Sequence, residues 1–180
     1  MPISKLIFFP ASAKETFNTQ ILLQSLIDSE FIISTAHDNN HYLPGERFLS
    51  LITFLGCSPN INLFPVAGEN HCFISFIEPC EHAICIGYTS TVNPKCPACT
   101  KRIATWKTAD WKLPEEICTC DKCQQKTPYA DLSWKHECGF ARCGFEVNHI
   151  YPHEAVPGDE LLNALQKVSG FEWDYCYSNI

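Results

Sequence analysis

Cys96-Pro97-Ala98-Cys99 and Cys120-Asp121-Lys122-Cys123 are two C-x-x-C pairs separated by residues 100–119. Two-residue spacing lets both sulfurs of a tight turn reach one ion while backbone amides support the thiolates. Two such turns supply four sulfurs at about 2.3 Å in a tetrahedron, the closed donor set of a structural zinc site. The gap between the pairs lies in the roughly 15–20-residue range expected of such sites.

This pattern resembles a zinc ribbon, a small β-rich module built on two cysteine knuckles, and the resemblance covers residues 95–126 only. It implies one structural Zn2+ held by Cys96, Cys99, Cys120 and Cys123. Cys118 lies two residues before Cys120, outside the C-x-x-C geometry, and is read as a spare thiol that supports the ligands from behind, packs, or substitutes for one of them. Lys101, Arg102, Trp106 and Trp111 interleave cations with aromatic rings, a composition that can stack bases and contact phosphate. Packing of the tryptophans between ribbon and body is the favoured alternative, since a ribbon has little else to bury.

Other constellations are weaker. Cys138, Cys143, His149 and His153 have metal-ligand types, but their middle gap is far shorter than that of a zinc finger. His37 and His41 flank Asp38-Asn39-Asn40, a turn-rich segment read as a loop and lacking the Glu of H-E-x-x-H. Cys57 follows a predicted helix C-terminus, where thiolates are not favoured. Cys80 neighbours His82, with no third group to orient it. Cys72, Cys85 and Cys176 read as packing residues. No G-x-S-x-G, Walker or G-x-G-x-x-G motif occurs.

The elements that must position these residues read as follows. Residues 5–9 form a buried strand closed by Pro10. Ser12 and Glu15 have capping-box spacing and predict a helix carrying Phe17, Ile21, Leu22 and Leu26. Residues 31–33 predict a strand and 36–42 a loop. Pro44-Gly45-Glu46 opens a second predicted helix with Phe48, Leu51, Ile52 and Leu55 on one side and Gly56 as its cap. Residues 72–78 and 83–88 predict a hairpin. Residues 132–138 and 141–147 predict another, turning at Gly139-Phe140, with Trp134 facing Phe145 and Leu132 facing Val147. Asp159 caps a last helix that stops at Gly170. Phe171, Trp173, Tyr175 and Tyr177 then alternate as a half-buried strand.

Composition bounds the rest. The chain has 180 residues, 12 of them cysteine, and a net charge of −7. That excludes a disordered chain and a generally basic nucleic-acid binder. The apolar run at 6–9 is too short for a signal-peptide core, and no stretch approaches the roughly 18 apolar residues of a membrane span. A cytosolic location is therefore expected, where close cysteines indicate metal rather than disulfides. Residues 95–126 hold seven basic and four acidic residues. Thiolates and one Zn2+ leave about +1 there, a weak attractant for phosphate. The sequence thus predicts an α+β protein with a mixed or antiparallel sheet and about three helices. Its body, 1–94 and 127–180, is interrupted by a zinc ribbon at 95–126. The expected function is a non-enzymatic zinc-stabilised binding or adaptor protein with a protein partner. The alternatives are an enzyme with a site between body and ribbon, or nucleic-acid binding through the ribbon.

Overall fold

A computed structural model describes residues 3–38, 40–56, 61–89, 92–151 and 153–179. They form an α+β fold that is mostly β. In chain order the elements are β1 (Lys5–Pro10), α1 (Thr19–Asp28), β2 (Ile32–Asp38), β3 (His41–Pro44), α2 (Phe48–Leu51), β4 (Ile52–Phe54), β5 (Phe73–Ile77) and β6 (Ile84–Tyr88). Then follow β7 (Ile117–Thr119), β8 (Lys126–Pro128), a single 3-10 turn (Tyr129–Asp131), β9 (Cys138–Ala141), β10 (Gly144–Asn148), β11 (Ala155–Pro157), α3 (Asp159–Ser169) and β12 (Trp173–Ser178).

A six-stranded antiparallel sheet in the order β12-β1-β10-β5-β3-β2 forms the centre. Strand alternation on β1 sends Leu6 and Phe8 to one face, where they join Leu22 and Leu26 of α1 and Leu161 and Leu165 of α3. The Phe8 ring stacks on Phe145 with centroids 4.5 Å apart. Ile7 and Phe9 go to the opposite face and meet Ala141 and Cys176 under the β6–β9 pair. β1 is therefore apolar on both sides, as a covered central strand must be. Gly87 and Gly139 face each other across β6 and β9. A Cβ on Gly87 would lie 2.6 Å from Cys176 Sγ, and one on Gly139 2.8 Å from the same sulfur. Two glycines thus let the small sheet press against the large one.

Local signals explain the helices. The Asn18 side chain accepts hydrogen bonds from the Gln20 and Ile21 amides, capping α1. α3 places Asp159 and Glu160 in its first turn and Lys167 in its last, complementing the helix dipole, and ends at Gly170 with φ 85°.

Several expectations are corrected. The first helix starts at Thr19, not near Ser12, because Phe17 donates its amide to Cys143 Sγ and packs edge-on against Trp173. Ile21 is exposed rather than on the buried side. The loop expected over 36–42 is not found among its described residues: residues 36–38 belong to β2 and 41–42 to β3, which pair as antiparallel neighbours. The second helix is one turn. Ile52–Phe54 leaves it to pair with β11, Leu55 is exposed, and Gly56 caps nothing. β5 and β6 do not pair as a hairpin: β5 sits between β10 and β3, and β6 pairs with β9. The hairpin turning at Gly139-Phe140 is absent too, because that dipeptide lies inside β9. Trp134 and Phe145 belong to different apolar clusters. Gly158, not Asp159, occupies the N-cap of α3.

Candidate metal centre

The two C-x-x-C turns fold alike. In the first, the Cys96 amide donates to the Lys101 carbonyl (2.9 Å), and the Thr100 amide donates to the Cys96 carbonyl (2.9 Å). In the second, the Cys120 amide donates to Gln125 (2.9 Å) and the Gln124 amide to the Cys120 carbonyl (3.0 Å). Thr100 and Gln124, each just after the second cysteine of its pair, both adopt left-handed backbone, with φ 60° and 62°. The second turn is held by the β7–β8 pair, the first by a bridge between Lys95 and Arg102. Similar local bonding twice over aims four sulfurs at one point.

The sulfurs of Cys96, Cys99, Cys120 and Cys123 all lie within 4.8 Å of one another. Cys96 to Cys123 and Cys99 to Cys120 are each 3.7 Å apart. A tetrahedron with metal–sulfur distances of about 2.3 Å has edges of about 3.8 Å, so the cluster can hold one metal ion. Backbone amides of Cys123 and Lys122 bring Cys120 down to about 7. At Cys123 the Gln125 backbone acts downward, but local desolvation and the crowding thiols outweigh it and push the group up to about 12. Four thiols this close cannot all ionise without a cation between them, and a bound metal supplies that charge. Cys96 and Cys120 are buried whereas Cys123 is exposed, so one edge of the site faces water.

Cys118 lies on β7 opposite Thr127 and outside the four-sulfur cluster. Burial raises its thiol. Burial also raises Cys138, Cys143 and Cys176, and pushes Cys72 up to about 12. Burial and raised pKa values suit packing thiols better than thiolate ligands or nucleophiles. Among the described residues the Cys138, Cys143, His149 and His153 set forms no ligand cluster. Cys138 lies 3.9 Å from Cys85, while His153 Nε2 lies 3.2 Å from Glu137. Cys80 donates to backbone carbonyls of His82 and Arg142. His41 stacks on Phe73. Cys57 lies outside the described residues.

Trp106 and Trp111 are 3% and 6% exposed, so neither ring is open for base stacking. They meet edge to face with centroids 5.1 Å apart, and Trp106 meets Trp134 at the same distance. Each indole donor of Trp106 and Trp134 has a partner, Asn93 Oδ1 and the Tyr129 carbonyl. Lys107 covers Tyr88 and Trp106, and Lys112 covers Trp111. Lys101 and Arg102 remain exposed.

No sequence motif marks the second feature of the structure. Residues 130–136 and 138–140 line a cleft of about 530 Å3 together with Phe9, Ala11, Asp174 and Tyr175. At its rim, Lys135 and His136 have φ 51° and 69°, while the Glu137 amide donates to the Trp134 carbonyl (3.0 Å). That is the φ signature of a type I′ turn, which normally takes Asn or Gly. The turn interrupts the strand expected over residues 132–138. His136 Nδ1 donates to the Tyr175 carbonyl (2.8 Å) and lies 3.2 Å from Asp174 Oδ1, with the ring stacked on Tyr175. Burial acts to lower His136, but the Asp174 hydrogen bond, the Tyr175 carbonyl and the Asp174 and Glu137 charges prevail, and its pKa is raised.

Compared with protein-family models, curated proteins and solved structures, the chain matches none. No helix among the described residues is long and apolar enough to cross a membrane.

Proposed function

We propose that Cys96, Cys99, Cys120 and Cys123 bind one structural Zn2+ and that residues 95–126 form a zinc ribbon inserted into a body made of 1–94 and 127–180. The observation that carries this reading is the four-sulfur cluster, two of whose edges are 3.7 Å and all of whose sulfurs lie within 4.8 Å of one another. A tetrahedral all-thiolate set suits zinc or iron, and four protein ligands leave no open position for a substrate. A site closed in this way supports a binding or adaptor role rather than metal catalysis. The net charge of −7 favours a protein partner over a polynucleotide. Elemental analysis of protein purified without added metal tests the assignment: one zinc per chain supports it, and stoichiometric iron or no metal overturns it.

The enzymatic alternative is favoured by one observation, the His136–Asp174 pair in a cleft apart from the cysteines. An imidazole oriented through Nδ1 presents a basic Nε2, the arrangement of a general base. No nucleophile with a lowered pKa lines that cleft, and Cys138 there is pushed strongly upward. The binding reading is therefore preferred.

A further inference from the structure

Residues 81–83 and 113–116 line one groove. One part of it, about 310 Å3, is walled by Ala13, Ala83, Pro114, Pro128 and Ala130. An adjoining part of about 300 Å3 shares His82, Ala83, Pro114 and Glu115 with the first and runs past Leu113 and Glu116. Backbone bonds fix this wall. The Ala130 amide donates to the Pro114 carbonyl (3.1 Å) and the Tyr129 amide to the Glu116 carbonyl (2.9 Å), strapping 114–116 onto the 3-10 turn. The Leu113 amide donates to the Asp110 carbonyl (2.9 Å) and the Glu116 amide to the Leu113 carbonyl (3.2 Å), and this turn leaves Leu113 half exposed at the groove. Ile117 is the cross-strand partner of Pro128 and is half exposed too. Leu113, Pro114, Pro128 and Ile117 thus form a continuous apolar strip. A strip of this kind, held open on fixed backbone and rimmed by charge, marks an interaction surface, unlike apolar residues exposed singly.

The charge of the rim indicates the occupant. Glu81, Glu115, Glu116 and Asp131 all line the groove and are exposed. Of the cations there, Arg142 directs its guanidinium to the carbonyls of Cys80 (2.9 Å) and Lys14 (3.2 Å), and His82 lies 3.9 Å from Glu81. Lys14 is the remaining one, so carboxylates predominate. An apolar lining inside a carboxylate rim is complementary to an apolar group flanked by cations. The same rim repels the phosphates of a polynucleotide or an anionic membrane.

We propose that this groove docks a short peptide segment of a protein partner, one in which an apolar side chain sits between lysines or arginines. The apolar side chain packs against Leu113, Pro114 and Pro128, and the flanking cations meet Glu81, Glu115, Glu116 and Asp131. Exposed rim charges act mainly on encounter rate and specificity, and binding through them weakens as salt rises. This partner chemistry rests on the binding role proposed above and is independent of which metal the cysteines hold.

The probes are random dodecapeptides displayed on phage and selected against the full metal-loaded chain, with the enriched sequences then synthesised, labelled and titrated by fluorescence. The expected sequences carry an apolar residue flanked by Lys or Arg. Glu115→Lys and Leu113→Ser should each weaken them about tenfold or more. Both residues are exposed, so metal content and melting temperature should not change. Enriched peptides that are acidic or purely apolar overturn the proposal, as does a library that yields no binder. Basic peptides indifferent to both substitutions overturn the groove while leaving the wider binding role standing. Zinc content of the same preparation reports on the metal assignment separately. A single-stranded oligonucleotide that binds more tightly than every selected peptide overturns the proposal in favour of a polynucleotide surface.

Discussion

Cys118 and Cys120 sit two residues apart on one short stretch, yet they have opposite chemistry. Cys120 receives backbone N–H donors and is lowered to about 7, whereas burial raises Cys118. Cys118→Ala should therefore keep one metal per chain, at a stability cost of about 1 kcal/mol for the lost packing. Cys120→Ser should lose the metal. Elemental analysis and thermal melts separate the two. His136 offers a second test at this scale. Its folded pKa is raised, so its contribution to stability is fully present below the unfolded value, about 6.5. That contribution is lost as pH rises through the higher folded value. An NMR titration should find the His136 midpoint above 6.5, and Asp174→Asn should move it down. A midpoint unmoved by Asp174→Asn would show that the carboxylate does not hold this imidazole.

Elements in this protein are set partly by local chemistry and partly by distant partners, and only the first kind was legible in the sequence. The C-x-x-C turns, the Gly170 stop and the aromatic alternation of β12 depend on neighbours within a few residues, and all were readable. β5 was readable as a strand, but its neighbours were not: its partners are β10 and β3. Nothing between residues 77 and 84 forces a tight turn, so pairing is decided by burial of both faces of the large sheet. His136 escaped for a related reason, since the type I′ turn at 135–136 lacks the Asn or Gly that ordinarily signals it. The packing of the β6–β9 pair gives a prediction of its own. Gly139→Ala would put a Cβ 2.9 Å from the Phe9 ring as well as against Cys176. Overpacking of this kind should cost roughly 1–3 kcal/mol, read from denaturant midpoints. Gly170→Ala meets no atom within 4 Å and should cost only the left-handed penalty, about 1–2 kcal/mol.

At the scale of the whole molecule, the four-cysteine cluster shares apolar packing with residues 132–140. Cys96, Ile103, Trp106, Trp111 and Cys120 belong to the same buried cluster as Leu132, Trp134 and Phe140. Trp106→Ala should accordingly cost about 3–5 kcal/mol and weaken the near-UV circular dichroism of the whole tryptophan group, including Trp134. A loss confined to one indole would contradict a shared cluster. Metal and fold should also be linked, because ligand thiols must be deprotonated to bind. Whether the four cysteines hold one structural zinc is tested most directly by metal analysis of the unaltered chain beside Cys96→Ser and Cys120→Ser. One zinc per chain is expected in the first and none in either variant. A native, metal-free chain, or zinc retained by both variants, would contradict it.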